Sequence, residues 1–134
     1  MDILDASALL AFIKKEKGGE EVKKLFEQNQ KKTSSVFIHS LNYIEFLYKC
    51  EQIFGQKTLK QIILELQTPW LGIMSYMDSD LNFYAAHLKA NYHLSLADAT
   101  GLAHTKIMNG TFWTADNALA EIAGKEKIGL KLIR

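Results

Sequence analysis

Short apolar runs alternate along the chain with longer segments in which apolar residues recur every three or four positions. The short runs predict β-strands at residues 2–5, 34–38 and 71–76, within the sequence NGTFWTA, and at residues 130–133. The longer segments predict helices at residues 7–15, 20–31, 39–54, 58–67, 78–91, 95–108 and 117–123. Strands that alternate with helices indicate an α/β fold, with a parallel sheet covered by helices on both faces.

The third predicted helix carries Leu41, Ile44, Leu47 and Tyr48 at helical spacing, and Gly55 follows its end. We expect this apolar stripe to face the core. The chain has 134 residues and shows neither internal repeats nor linker-like stretches, which predicts a single domain at residues 1–134.

The composition is that of an ordinary globular domain, with 48% hydrophobic and 23% charged residues. Cys50 is the only cysteine, so an intramolecular disulfide and a cysteine-based zinc site are both excluded. The early acids Asp2 and Asp5 do not suit a signal peptide. The longest apolar run, residues 8–13, is far shorter than the roughly 20 residues that span a bilayer. We therefore expect a cytoplasmic protein with no membrane segment.

The formal net charge of +1 does not by itself indicate nucleic acid binding. Arg134 is the only arginine, so bidentate arginine clamps on phosphate are nearly excluded. Lysines nevertheless concentrate in the first third of the chain, where they either follow a phosphate backbone or form a solvated helix face. They are Lys14, Lys15, Lys17, Lys23, Lys24, Lys31 and Lys32.

Four acids occupy unusual positions. Two follow predicted strands, and two lie on helices at positions where apolar residues are expected. Asp5 and Asp116 follow predicted strands, and ligands of open parallel sheets bind at the carboxyl ends of strands. Glu45 and Asp98 lie on helices with apolar neighbours one turn away. Four carboxylates share one pocket in ionised form only when cations join them, and hard oxygen ligands suit Mg²⁺ or Mn²⁺.

Each acid also has a structural interpretation. Asp5 and Asp116 could cap the helices that begin directly after them, and Asp98 lies at capping-box spacing from Ser95. Glu45 could pair with Lys49 one turn later. The order and joint placement of the four acids favour the functional interpretation.

Three segments, ILDASALLAFI, LNYIEFLYK and LSLADATGLAHTKIMNGTFWTADNAL, occur in this order along the chain. They resemble the PIN-domain ribonucleases, and most closely the VapC-type toxins of toxin–antitoxin pairs. The sequence SLADA followed by a strand that ends in TAD is the most specific part of the likeness, which extends over the whole chain.

The resemblance implies a three-layer α/β/α sandwich and Mg²⁺- or Mn²⁺-dependent cleavage of RNA inside the strand. It assigns Asp5, Glu45, Asp98 and Asp116 as the catalytic, metal-binding acids. Ser7 and Thr114 match the small hydroxyl residues of the family and are expected to orient the carboxylates. A small antitoxin whose tail fills the acidic groove is the partner that the resemblance implies, together with a homodimer.

Two features depart from the family pattern. Many relatives carry an aromatic residue three positions after the late aspartate, where this chain has Leu119, and the chain is poor in arginine. Both departures concern substrate handling rather than the four acids.

Other functions remain open at this stage. They are an RNA-processing PIN nuclease without an antitoxin, a non-catalytic binding module of the same fold, and a receiver-like signalling domain. The last is disfavoured because the sequence TAD stands where a lysine is required. The histidines His39, His87, His93 and His104 show no metal-binding spacing, and we expect them at the surface or hydrogen-bonded in the core.

Overall fold

The computed structural model describes residues 1–30 and 35–134, and within them the predicted parallel sheet is confirmed. The strands are β1 Asp2–Leu4, β2 Val36–His39, β3 Gly72–Met74, β4 Thr111–Thr114 and β5 Gly129–Leu132. All neighbouring strands pair in parallel in the order β3-β2-β1-β4-β5. Strand β1 is therefore central, and its carboxyl end lies between the carboxyl ends of β2 and β4.

The predicted helices are also present, with ends that shift by a few residues. They are α1 Ala6–Lys14, α2 Gly19–Asn29, α3 Ser40–Phe54, α4 Gln56–Leu66, α5 Ser79–Asn91, α6 Leu96–Met108 and α7 Asn117–Glu126. No helix of the described residues is long and apolar enough to cross a bilayer. Three residues of the sequence predictions lie outside the described residues. They are Lys31 at the end of the second predicted helix, Lys32 among the lysines of the first third, and Ser34 at the start of the second predicted strand.

Helix α7 extends three residues beyond its predicted end because tertiary contacts hold its last turn. The Glu126 carboxylate accepts hydrogen bonds from the hydroxyls of Tyr84 and Tyr92 at 2.7 and 2.6 Å. Lys127 then adopts a left-handed conformation and ends the helix. Contacts of this kind are not visible in the local pattern of α7.

The core consists of two apolar clusters on opposite faces of the sheet. Successive residues of β1 alternate between them, since Leu4 packs with helices α1 to α4 and Ile3 packs with helices α5 to α7. This arrangement is the expected three-layer α/β/α sandwich.

The predicted apolar stripe of α3 is confirmed for Leu47, which packs against the core, and wrong for Ile44 and Tyr48. Ile44 and Tyr48 are 57% and 48% exposed, whereas Asn42, Phe46 and Cys50 are buried. In the sequence pattern, a helix face that includes an asparagine looks polar and is therefore expected to face solvent. It is nevertheless buried here because the Asn42 amide finds hydrogen-bond partners inside the protein.

Candidate active site

The register of the sheet brings two distant acidic segments to one edge. Leu4 lies opposite Trp113, and the Asp5 backbone N–H donates to the Trp113 carbonyl oxygen at 3.0 Å. The chain after β1 therefore starts beside the chain after β4, which carries Asp116. Because both strands end at the same edge, Asp5 and the segment around Asp116 meet there.

Asp5 is the most buried of the four acids, with 3% of its surface exposed. Its Oδ1 accepts hydrogen bonds from Ser7 Oγ at 2.6 Å and from the Ala8 N–H at 2.9 Å. Its Oδ2 accepts from Thr114 Oγ1 at 2.5 Å. Among the described residues no basic side chain forms an ion pair with Asp5. The carboxylate is thus surrounded by neutral donors only.

The two hydroxyls that donate to Asp5 also hold the segment that carries Asp116. Ser7 Oγ accepts from the Ala115 N–H at 2.9 Å, and Thr114 Oγ1 accepts from the Asp116 N–H at 3.0 Å. Each hydroxyl therefore donates to the carboxylate and accepts from the backbone of the neighbouring turn. The orientation of the Asp5 carboxylate is in this way linked to the position of Asp116.

The other two acids come from helices α3 and α6. Glu45 lies in the first half of α3, with a side chain that is 24% exposed. Asp98 lies in the first turn of α6, where its N–H donates to the capping Ser95 Oγ at 3.1 Å.

A buried asparagine that the sequence analysis did not single out joins these elements. Asn42 Nδ2 donates to the Ala97 carbonyl oxygen at 3.1 Å, and Asn42 Oδ1 accepts from the Ala6 N–H at 3.4 Å. One side chain on α3 thereby holds the first turns of α1 and α6. An asparagine one turn before Phe46 and next to the glutamate motif was the only signal in the sequence.

Gly101 allows α6 to approach both Asn42 and the sheet. A Cβ atom at this position would lie 2.7 Å from Asn42 Nδ2 and 2.6 Å from Phe112 Cε1. A larger residue would push α6, and with it Asp98, away from α3 and β4.

The electrostatics group the four acids around Asp98. Burial raises the pKa of Asp5 to about 6, which the bonds from Ser7, Thr114 and Ala8 oppose and the charge of Asp98 increases. Burial also raises the pKa of Asp98. The Ser95 hydroxyl opposes this shift, and the charges of Glu45 and Asp116 add to it. Asp98 therefore interacts with all three of the other acids.

One basic side chain belongs to the same neighbourhood. Lys49 Nζ lies 3.5 Å from Glu45 Oε1, one helical turn along α3. Its charge lowers the pKa of Asp98. Lys49 offsets only part of the negative charge of the four acids.

The carboxylates suit a hard divalent cation chemically, although they do not form a preformed ligand shell. Within residues 1–30 and 35–134 no three His, Cys, Asp or Glu side chains lie close enough together to hold one ion. Mg²⁺ commonly keeps several water ligands and binds through one or two carboxylates. The grouping therefore fits a water-rich ion at Asp98 and its neighbours better than a fully protein-ligated one.

The structural contacts considered from the sequence are also present. Asp5 caps α1 through the Ala8 N–H, and Asp116 caps α7 through the Ala118 N–H at 2.9 Å. Caps normally lie at the surface, where water satisfies the rest of the carboxylate. Capping alone therefore does not account for the burial of Asp5 or for its bonds to two hydroxyls.

The expectation for the histidines is wrong for His104. This side chain is fully buried on α6, and among the described residues neither ring nitrogen has a hydrogen-bond partner. Its ring packs edge-on against those of His39 and Tyr76. His39 is satisfied, since it caps α3 and contacts the Tyr76 carbonyl oxygen at 3.1 Å. Burial lowers the pKa of His104 to about 4.

The side chains of Leu119 and Trp113 lie wholly or partly within the fold. Leu119, three positions after Asp116, is 2% exposed and packs in the cluster under α7. Trp113 is partly buried, and its indole N–H donates to Asp2 Oδ1 at 2.9 Å. The lysines of the first third that the structure describes are exposed: Lys14, Lys15, Lys17, Lys23 and Lys24.

Comparison with known protein families decides the classification. The model of the PIN domain matches residues 3–125. The chain belongs to the PIN domain family. The resemblance inferred from the sequence motifs is thereby confirmed for nearly the whole domain.

Solved structures show the same fold at low sequence identity. VapBC2 from Rickettsia felis, bound to a promoter DNA fragment, matches this PIN domain with a TM-score of 0.75 and 16% identity, over 99% of this chain and 98% of that chain. DNA-bound VapBC from Salmonella typhimurium gives 0.72 and 16%, over 97% and 96%. VapC20 from Mycobacterium tuberculosis, a toxin that cleaves the sarcin–ricin loop, gives 0.71 and 12%, over 91% and 95%. No curated protein sequence matches the chain significantly.

Proposed function

We propose that this PIN domain is a divalent-metal-dependent endoribonuclease. The observation that carries the proposal is the buried Asp5 carboxylate, which has no basic partner among the described residues and interacts with Asp98. Asp98 in turn interacts with Glu45 and Asp116. The repulsion between Asp98 and the other three acids costs stability, and a bound divalent cation would offset it.

The acids divide into two roles in this proposal. Asp5, Asp98 and Asp116 hold Mg²⁺ or Mn²⁺ directly or through water, and Glu45 either holds a metal or orients the attacking water. A bound divalent ion lowers the pKa of its water ligand and stabilises the negative charge that develops on a phosphodiester.

Ser7 and Thr114 keep the Asp5 carboxylate in one orientation through their 2.6 and 2.5 Å hydrogen bonds. They also keep the Asp116 turn beside it. Because these donors are neutral, the carboxylate retains the negative charge that cation binding requires once it is ionised.

The biological role we propose is that of a toxin in a toxin–antitoxin pair, acting in the cytoplasm. The structural neighbours that support this role are named as VapBC complexes and as a VapC toxin. A small antitoxin would then be the partner, with its tail in the acidic groove. We also propose a homodimer, because Ile53, Phe54 and Leu64 expose apolar surface on α3 and α4.

Metal titration of the purified protein tests the site first. We expect Mn²⁺ and Mg²⁺ to raise the melting temperature of the wild type, since a ligand that binds only the folded state stabilises it. Asp5→Asn and Asp98→Asn should abolish the rise, and a Glu121→Gln variant on α7 should keep it. A cleavage assay on RNA oligonucleotides with Mn²⁺ and with EDTA then tests the reaction.

A non-catalytic binding module is the second candidate. It is favoured by the caps that Asp5 and Asp116 form and by the missing three-ligand group among the described residues. This candidate predicts no stabilisation by Mn²⁺, and Asp5→Asn and Asp98→Asn variants that are as stable as the wild type. An RNA-processing nuclease would cleave RNA in the same assay, but expression of its gene without an antitoxin would not arrest growth.

A further inference from the structure

A shallow apolar hollow opens beside the acids, between the outer face of α3 and the start of α6. Its volume is about 260 Å³. Glu45, one of the four acids, forms part of its wall. The other walls are Leu41, Ile44, Tyr48, Ser95, Leu96 and Ala97.

The walls of the hollow carry a contiguous group of exposed apolar side chains. Ile44, Tyr48 and Leu96 are 57%, 48% and 58% exposed, and all three line this one place. Single exposed apolar residues are ordinary at protein surfaces, but a contiguous group indicates a binding surface. On α3 this group lies on the opposite side from the buried Phe46.

The surroundings define what could occupy the hollow. Asp98 directly follows Ala97 in the wall, and Lys49 Nζ lies 3.5 Å from Glu45 Oε1. The apolar walls and the Tyr48 ring favour an occupant that is flat or apolar. Because Glu45 belongs both to the wall and to the four acids, an RNA strand that reaches the acids would also pass the hollow.

We propose that the hollow seats one nucleobase of the RNA strand, next to the phosphodiester that is cleaved. This inference rests on the proposed function. The base stacks on the Tyr48 ring and packs against Ile44 and Leu96. Its backbone then passes the four acids, with Lys49 beside the phosphate.

The chemistry of the walls also defines the selectivity of this position. Leu41, Ile44, Leu96 and Ala97 have no polar side-chain atoms. The Ser95 hydroxyl is already engaged with Asp98, since its Oγ accepts the Asp98 N–H and the hydroxyl also hydrogen-bonds the Asp98 side chain. Recognition by stacking uses the face that every base has. The position therefore accepts any base but loses affinity when the base is removed.

Cleavage kinetics on short RNA oligonucleotides in Mn²⁺ test the inference. We expect Tyr48→Ala to raise KM about tenfold, consistent with the stacking energy of one base. Tyr48→Phe keeps the ring and should recover most of this loss. The control is Phe83→Ala on α5, which removes an aromatic side chain that is 79% exposed and does not line the hollow.

A substrate with one abasic nucleotide beside the cleaved bond provides the second arm. It should raise the KM of the wild type about as much as Tyr48→Ala does. For the variant, the same substrate should cause little further loss, because both changes remove the same contact.

The outcomes separate this inference from the proposed function. A wild type that does not cleave RNA overturns the proposed function and the inference with it. Cleavage with equal KM for the wild type and Tyr48→Ala overturns the inference alone. If Tyr48→Ala instead converts a dimer into a monomer in sedimentation, the hollow is a contact between two copies of the chain. The stacking assignment is then wrong.

Discussion

Thr114 Oγ1 donates a hydrogen bond to Asp5 Oδ2 at 2.5 Å across a sequence separation of 109 residues. This bond joins the carboxyl ends of β1 and β4. It is the only hydrogen bond that the described residues make to Oδ2, since Ser7 and Ala8 both donate to Oδ1.

Replacement of Thr114 by valine should therefore leave a buried carboxylate oxygen without its donor. We expect Thr114→Val to lower the free energy of unfolding by about 1–3 kcal/mol at neutral pH. The pKa of Asp5 should rise further. Urea unfolding measures the change, and Thr114→Ser, which retains the hydroxyl, should remain close to the wild type.

Asp5 should make the fold less stable as the pH rises from about 4 to 6. Burial raises the pKa of Asp5 from 3.8 to about 6, so the folded chain keeps a proton that the unfolded chain releases. The contribution of Asp5 to stability is fully present below its pKa in the unfolded chain. It is lost, by roughly 3 kcal/mol, as the pH rises through its pKa in the folded chain. Asp5→Asn should lack this loss in unfolding measured across the window. A parallel decline in the variant would contradict it.

His104 should act in the opposite direction over nearly the same range. Burial lowers the pKa of His104 from 6.5 to about 4. Between these values His104 binds a proton in the unfolded chain but stays neutral in the folded chain. The contribution of His104 to stability is fully present above pH 6.5 and is lost as the pH falls toward 4.

Relative to the wild type, we therefore expect the stability of His104→Leu to shift upward on acidification across this window, because the loss due to His104 no longer opposes the gain due to Asp5. The stability of Asp5→Asn should fall further than that of the wild type, because the gain due to Asp5 is absent. The wild type should fall between the two variants. Thermal unfolding at several pH values measures all three. Identical pH profiles for the wild type and His104→Leu would contradict the assignment.

Gly101 provides a test of how closely α6 must approach α3. A Cβ at this position would meet Asn42 Nδ2 at 2.7 Å and Phe112 Cε1 at 2.6 Å. We expect Gly101→Ala to destabilise the fold by about 1–3 kcal/mol and to weaken Mn²⁺ binding through the displacement of Asp98.

Gly124 on α7 is the matched control for this substitution. Apart from its chain neighbours and its own helix backbone, none of the described residues places an atom within 4 Å of a Cβ built there. Gly124→Ala should thus stabilise the protein by about 0.4–1 kcal/mol, since alanine restricts the unfolded chain more than glycine does. Chemical denaturation of both variants measures the contrast, and equal effects would exclude a close-packing role for Gly101.

Lys49 should weaken cation binding at the acids, because its charge occupies the same neighbourhood. Removal of the charge in Lys49→Gln should increase the apparent Mn²⁺ affinity up to about fivefold, as expected for a partly exposed ion pair. Lys125→Gln removes a lysine from the comparable pair with Glu121 on α7, and its Mn²⁺ affinity should equal that of the wild type. Calorimetric titration at low salt measures the difference. An unchanged affinity in Lys49→Gln would separate the lysine from the metal site.

The order of strands and helices follows from the sequence alone. Local periodicity and helix-capping residues carry that information, and the parallel sheet follows from their alternation. The four acids Asp5, Glu45, Asp98 and Asp116 were likewise recognisable, because each interrupts an apolar pattern or ends a strand.

Only the tertiary structure decided which surfaces are buried and how the acids are held. The exposed face of α3 and the buried Asn42 contradict or escape the local pattern, since burial depends on partners from distant segments. So does His104, which is buried and has no hydrogen-bond partner among the described residues. The bond from Thr114 to Asp5 arises from the pairing of β1 with β4. A sequence specifies local conformation through neighbours a few residues away. The environment of the Asp5 carboxylate depends in addition on Thr114, which lies 109 residues away in the chain.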